Sequence, residues 1–188
     1  MHRVWLSLFR PRTLLIAVAA VLSMAAPAGA QTSAQKASPQ KAAAVGGAAS
    51  STGLAVPRYV SLRSDEVNLR TGPGVRYPVD WVLQRRHMPV EILAEFENWR
   101  KIRDFQGTEG WVHESMLSGR RYAIVTGAVR SLHREPNPAA PAVARLEPGV
   151  VAEILDCQKD WCRLDSDGFK GWLTRAEFWG VYPNETVK

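Results

Sequence analysis

Cysteine, histidine and long apolar runs are all scarce in this chain. Only two cysteines occur in 188 residues, Cys157 and Cys162. His87, His113 and His133 are scattered, and only His133 falls in the same half of the chain as the cysteines. Zinc usually takes four ligands, so a metal centre is short of donors. The cysteine spacing is not Cys-x-x-Cys, which argues against a redox-active pair. Glu95 and Glu97 flank a predicted turn and read as solvated groups, not as a tuned acid pair. Asp165-Ser166-Asp167-Gly168 begins like a calcium loop but lacks the later ligands, including the glutamate at the twelfth position, and reads as a turn. No nucleophile–base set can be assembled from these residues, and no segment is long enough for a hydrolase domain beside the rest. The expectation is a protein that is not an enzyme, with no catalytic residues, metal or cofactor.

The N-terminus reads as targeting sequence. Arg3, Arg10 and Arg12 precede an apolar stretch at 14–26, and Ala28-Gly29-Ala30 fits a small-x-small cleavage site. The stretch is shorter than the ~18 residues of a membrane span. Residues 1–30 are therefore expected to be a secretory signal peptide, with an uncleaved anchor as the alternative. No later segment can span a bilayer, so no stable span is expected after cleavage, and the location would be periplasmic or secreted. Residues 31–57 are rich in Ala, Ser, Gln and Gly, with no aromatic. Such a composition cannot offset its ordering entropy, and it reads as a disordered linker.

The net charge of +6 falls once 1–30 is set aside: three arginines leave, and 21 basic residues face 18 acidic ones. A mildly basic exported chain would be drawn to anionic envelope polymers; a solvated, mixed surface is the plainer reading. Nucleic acid is not expected as a partner, because Arg85-Arg86-His87 and Arg120-Arg121 lack the interleaved aromatics of a single-strand binder.

What the chain does contain is a repeat. Val67-Asn68-Leu69-Arg70-Thr71-Gly72-Pro73-Gly74, Val90-Glu91-Ile92-Leu93, Trp99-Arg100-Lys101-Ile102 and Gly110-Trp111-Val112 are followed by a second series. That series is Val129 to Pro136, Val151 to Leu155, Trp161-Cys162-Arg163-Leu164 and Gly171-Trp172-Leu173, displaced by 62 residues, or by 61 at the last motif. Alternating segments at 60–63, 67–70, 77–83, 90–96 and 99–104, punctuated by Gly and Pro turns, predict short strands, and the second copy repeats the order. The fold class is all-β: after a signal peptide and linker, the spacing indicates two tandem small barrels or sandwiches, at 58–119 and 120–180, with a tail at 181–188.

Modules of about 60 residues bury only about 60% of their unfolded surface and are marginal alone. Seven tryptophans offer compensation, since burying one aromatic is worth roughly 4–6 kcal/mol before entropy losses. Trp99, Trp111, Trp161 and Trp172 recur at matched positions and are assigned to packing. The unmatched Tyr77 and Trp81, with Arg70 as polar partner, are the candidate ligand-binding residues; their alternative is packing beneath the 74–78 loop. If Lys159-Asp160 form a two-residue turn, Cys157 stands opposite Cys162 at disulfide distance. An exported location permits that bond.

The opening motif, the Trp-Arg-Lys-Ile strand and the Gly-Trp-Val close resemble the bacterial SH3-like domain family of exported proteins, well over 58–119 and less well over 120–180. The resemblance implies barrels of five to seven strands that act as targeting or ligand-binding modules, often for peptidoglycan or protein peptides beside a cell-wall hydrolase. The expected partner is a peptidoglycan stem peptide or an envelope protein. A rigid protein–protein interaction module is the alternative, and an accessory or weak cell-wall hydrolase a third.

Overall fold

The computed structural model describes residues 50–187. The expected signal peptide, and the linker up to residue 49, lie outside them. The described residues all belong to one compact unit, and they form two seven-stranded antiparallel sheets. The first comprises β1 (Arg58–Leu62), β2 (Val67–Arg70), β3 (Val79–Leu83), β4 (Pro89–Phe96), β5 (Trp99–Arg103), β6 (Glu109–His113) and β7 (Leu117–Ser118), in the spatial order β3-β2-β6-β5-β4-β1-β7. The second comprises β8 (Tyr122–Val125), β9 (Arg130–His133), β10 (Ala142–Leu146), β11 (Val151–Gln158), β12 (Trp161–Ser166), β13 (Phe169–Thr174) and β14 (Phe178–Trp179), in the matching order β10-β9-β13-β12-β11-β8-β14. A single 3-10 turn, Glu114–Met116 or Arg175–Glu177, precedes the last strand of each. Among the described residues no helix is long and apolar enough to cross a membrane.

Each sheet curls around its own aliphatic cluster. Leu62, Leu69, Val90, Ile92, Ile102 and Val112 fill the first, and Leu83 from edge strand β3 packs on the same cluster as Leu117 from edge strand β7. Leu132, Ile154, Leu164, Leu173 and the disulfide cysteines fill the second. The repeated tryptophans are not there. Trp99, Trp111, Trp161 and Trp172 are all half-buried on the outer faces. Strand alternation explains the correction: Ile102 faces the core, so Arg100 faces it too, and Trp99 and Lys101 face outward.

The register also revises the internal alignment. Arg70 pairs with Trp111, and His133 pairs with Trp172. A Cβ on Gly110 would meet Leu69, whereas one on Gly171 would meet Leu132. The structural counterpart of Arg70 is therefore His133, one residue beyond the position that matching Val67 with Val129 would give. On the same basis Tyr59 corresponds to Tyr122, paired respectively with Glu91 and Glu153.

The register places a buried ion pair and a disulfide at one equivalent cross-strand site. In the first barrel Glu95 stands opposite Arg100; in the second Cys157 stands opposite Cys162, with Cα atoms 4.0 Å apart and the sulfurs bonded. Glu95 is fully enclosed, with Arg58 and Arg100 Nε as ionic partners. It also accepts from Ser50 Oγ at 2.9 Å and from Thr52 N at 2.9 Å. Residues 50–52, within the span read as linker, are thus tied to the barrel. Burial alone would raise the Glu95 pKa; hydrogen bonds from Arg58, Thr52 and Ser50 outweigh it and lower the value to about 2.

The C-terminal tail straps the two barrels together. Val187 is buried in the second core, and its carbonyl accepts from Cys157 N at 3.1 Å. Glu185 pairs with Arg121. Tyr182 lies 4.6 Å from Tyr59 and donates its hydroxyl to Glu91 of β4 at 2.6 Å. Tyr59 also meets Trp179 edge-on at 4.8 Å, and His87 stacks on Tyr122 at 4.4 Å. Such aromatic pairs are worth roughly 0.5–1.5 kcal/mol each beyond their burial.

Candidate functional site

On the first barrel, the loop joining β2 to β3 and the turn joining β4 to β5 rise on either side of Trp99. Between them lie two adjoining depressions of about 300 and 550 Å³, which share Val75, Trp99 and His113. Arg70 and Asn68 extend the first depression; Pro73, Arg76 and Phe96 border the second. Val75 is 79% exposed and Phe96 50% exposed, so apolar surface faces solvent on both rims. An aromatic floor, apolar rims and a few fixed polar groups make a surface suited to an extended peptide.

Local chemistry builds these walls. Arg70 Nη1 donates to the carbonyls of Val75 at 3.2 Å and Tyr77 at 2.8 Å, clipping the loop. The Tyr77 ring lies over Gly72, where a Cβ would come within 2.5 Å of it; any larger residue would force the loop open. Across the groove, Glu97 takes a left-handed backbone with φ 49° to make the tight turn. His113 meets Trp99 edge-on at 5.5 Å. Its Nδ1 accepts from Ser115 N–H and lies 2.7 Å from Ser115 Oγ. The equivalent position in the second barrel is Thr174, which caps its own turn with Glu177. The His113 side chain accordingly caps the 3-10 turn at 114–116.

The three residues singled out from sequence therefore separate. Arg70 borders the groove. Tyr77 supports its loop from behind. Trp81 sits on edge strand β3, 59% exposed and opposite Leu69, away from the groove lining. Trp99 and His113 are the groove residues that sequence reasoning missed. The signal for Trp99 was its outward phase in the strand, fixed by the core residue Ile102 three positions on, an odd step in the alternation.

The model of the bacterial SH3 domain matches residues 63–119 and again 128–180. The chain belongs to the bacterial SH3 domain family. Among curated proteins, the "Putative N-acetylmuramoyl-L-alanine amidase YrvJ" of Bacillus subtilis (strain 168) is 21% identical over 124 residues. The match takes in 60% of this chain and 24% of that protein, so the chain spans about a quarter of the curated relative's length. NlpC1 from Trichomonas vaginalis shares 16% identity over 72% of this chain and 49% of its own, at a TM-score of 0.32. An NlpC/P60 family protein from Bacillus cereus ATCC 10987 shares 11% over 69% and 58%, at 0.30.

The two bacterial SH3 domains are not equivalent at the groove. His133 of the second clips its loop through Nδ1, which donates to the Ala140 carbonyl at 2.8 Å. It also meets Trp161 edge-on at 6.0 Å. The aromatic–histidine pairing is kept, but the arginine fork of the first domain is replaced by an imidazole.

Proposed function

We propose that this is an extracytoplasmic, non-catalytic binding protein of the bacterial cell envelope, whose first SH3 domain holds an extended peptide in the Trp99 groove. The peptide is a peptidoglycan stem peptide, or a segment of an envelope protein. The observation that carries this reading is the groove itself: an aromatic floor, apolar rims and Arg70 held in place by its own loop. Arg70 Nε and Nη2 make no hydrogen bond among the described residues and are left to face a ligand carboxylate or carbonyl. The relative named as an amidase, in which matching sequence occupies a quarter of the chain, is consistent with a module that works on the wall beside an enzyme. The bonded cysteines suit an oxidising compartment and leave neither sulfur as a nucleophile.

The second reading, a rigid module for protein–protein contact, draws on the C-terminal strap, which fixes one barrel against the other. Co-sedimentation with purified peptidoglycan sacculi separates the two. Wall binding predicts enrichment that Trp99→Ala abolishes; no enrichment over a non-binding control favours a protein partner.

A further inference from the structure

We propose that the cleft between the two barrels is a second binding site, for a small ligand that carries a carboxylate and an ammonium group together, such as a short peptide with free ends. This cleft, of about 510 Å³, lies apart from the Trp99 groove, and the inference stands without the reading given to that groove.

Its two walls have opposite charge. Arg85 and Arg86, from the connection between β3 and β4, form one wall; Glu153 of β11 and Asp167 of the β12–β13 turn form the other. Among the described residues none of these four side chains makes an ion pair or a side-chain hydrogen bond. Asp165, beside them, is already engaged by Gly168 N at 2.9 Å and Lys170 Nζ at 3.6 Å. Charges of opposite sign therefore face a shared space without closing it.

The walls are held apart by structure. His87, next to the arginines, has a left-handed backbone with φ 65°, and its N–H donates to the Leu62 carbonyl at 2.9 Å. Its ring is stacked on buried Tyr122, which belongs to the other barrel. On the acidic side, Asp167 and Gly168 have φ of 51° and 89°, which fit the tight hairpin turn with left-handed residues at both central positions. Val150 and Val151 add apolar lining. A ligand with a single charge would satisfy one wall and leave the other unanswered. A zwitterion answers both, with charge-assisted hydrogen bonds at each end.

The test is an NMR titration of the full chain with the tripeptide Ala-Gly-Ala, bearing both free termini, and with its N-acetylated and C-amidated forms. The free peptide is expected to give saturable shifts at Tyr122, Val151 and Gly168, and each cap to weaken binding about tenfold or more, the loss of one hydrogen bond to a charged group. Arg85→Ala with Arg86→Ala should make affinity indifferent to C-terminal amidation. Glu153→Gln with Asp167→Asn should make it indifferent to N-terminal acetylation. Asparagine tolerates the left-handed backbone at 167, and none of the four side chains is in the core, so these variants keep the fold. Equal affinity for free and capped peptides, shifts confined to the Trp99 groove, or no shifts in the cleft at millimolar peptide would each overturn the proposal.

Discussion

Replacing Glu95 with glutamine should cost the protein about 3 kcal/mol at neutral pH, and the cost should vanish in acid. Glu95 is fully enclosed, and it is met by Arg58, by Arg100 and by the 50–52 segment. Its pKa falls from 4.5 to about 2 because those hydrogen bonds outweigh burial. At about 1.36 kcal/mol for each tenfold change in proton affinity, that difference is roughly 3 kcal/mol of folding stability. Removing one partner of a buried ion pair typically costs about 3–5 kcal/mol, which agrees. For a fold of this size the melting temperature should drop by about 10 °C. A depressed carboxyl pKa stabilises the fold above the unfolded-state value and ceases to do so as pH falls through the folded-state value. The gap between wild type and Glu95→Gln should therefore be full above pH 4.5 and close as the pH falls towards about 2. Thermal melts of both proteins across that range provide the measurement. Equal melting temperatures at pH 7, or a gap unchanged down to the acid end, would show that the Glu95 carboxylate does not stabilise the fold.

Tyr182→Phe should leave the Glu91 carboxylate one donor short and destabilise the fold by about 1–3 kcal/mol, read by urea unfolding, with faster hydrogen exchange along 180–187. The same interface should fail at high pH. Burial first, and then Glu91, raise the Tyr59 hydroxyl to about 12, so its stabilising contribution is complete below the ordinary value of 10 and is lost as pH rises towards 12. Reducing Cys157–Cys162, or replacing both with serine, should cost about 2 kcal/mol, the small figure expected of so short a loop. Thiol titration of the unfolded, unreduced protein should find no free thiol.

The repeat, the strand order and the cysteine hairpin were legible in the sequence because each rests on local rules: period-two alternation, turn residues and two-residue hairpin geometry. Lys159 and Asp160 do form the two-residue turn, and Cys157 does stand opposite Cys162. The placing of the tryptophans was not legible from their recurrence alone. Matching Trp99 with Trp161 shows that the barrels share a position, but not which face it lies on. That depends on burying Arg100, an unfavourable choice unless Glu95 stands opposite and the chain at 50–52 completes its hydrogen bonds. The one-residue drift between Arg70 and His133 was hidden because Val67 and Val129 invite a match that the β2–β6 and β9–β13 pairings do not make. The inter-barrel cleft and the C-terminal strap depend on contacts between distant segments, such as Tyr182 with Glu91. No local pattern announces these. The charged run Arg85-Arg86-His87 was visible, but its acidic counterpart comes from residues 153 and 167.

The proposed role requires the Trp99 groove of the first SH3 domain to hold a wall or envelope peptide. Quantitative co-sedimentation of wild type, Trp99→Ala and Trp81→Ala with purified sacculi tests it most directly. Losing an aromatic platform should reduce binding by tenfold or more, at roughly 2 kcal/mol for a hot-spot truncation. Wild type and Trp81→Ala should pellet with the sacculi, and Trp99→Ala should stay in the supernatant. Equal pelleting of wild type and Trp99→Ala, or loss only with Trp81→Ala, would contradict it.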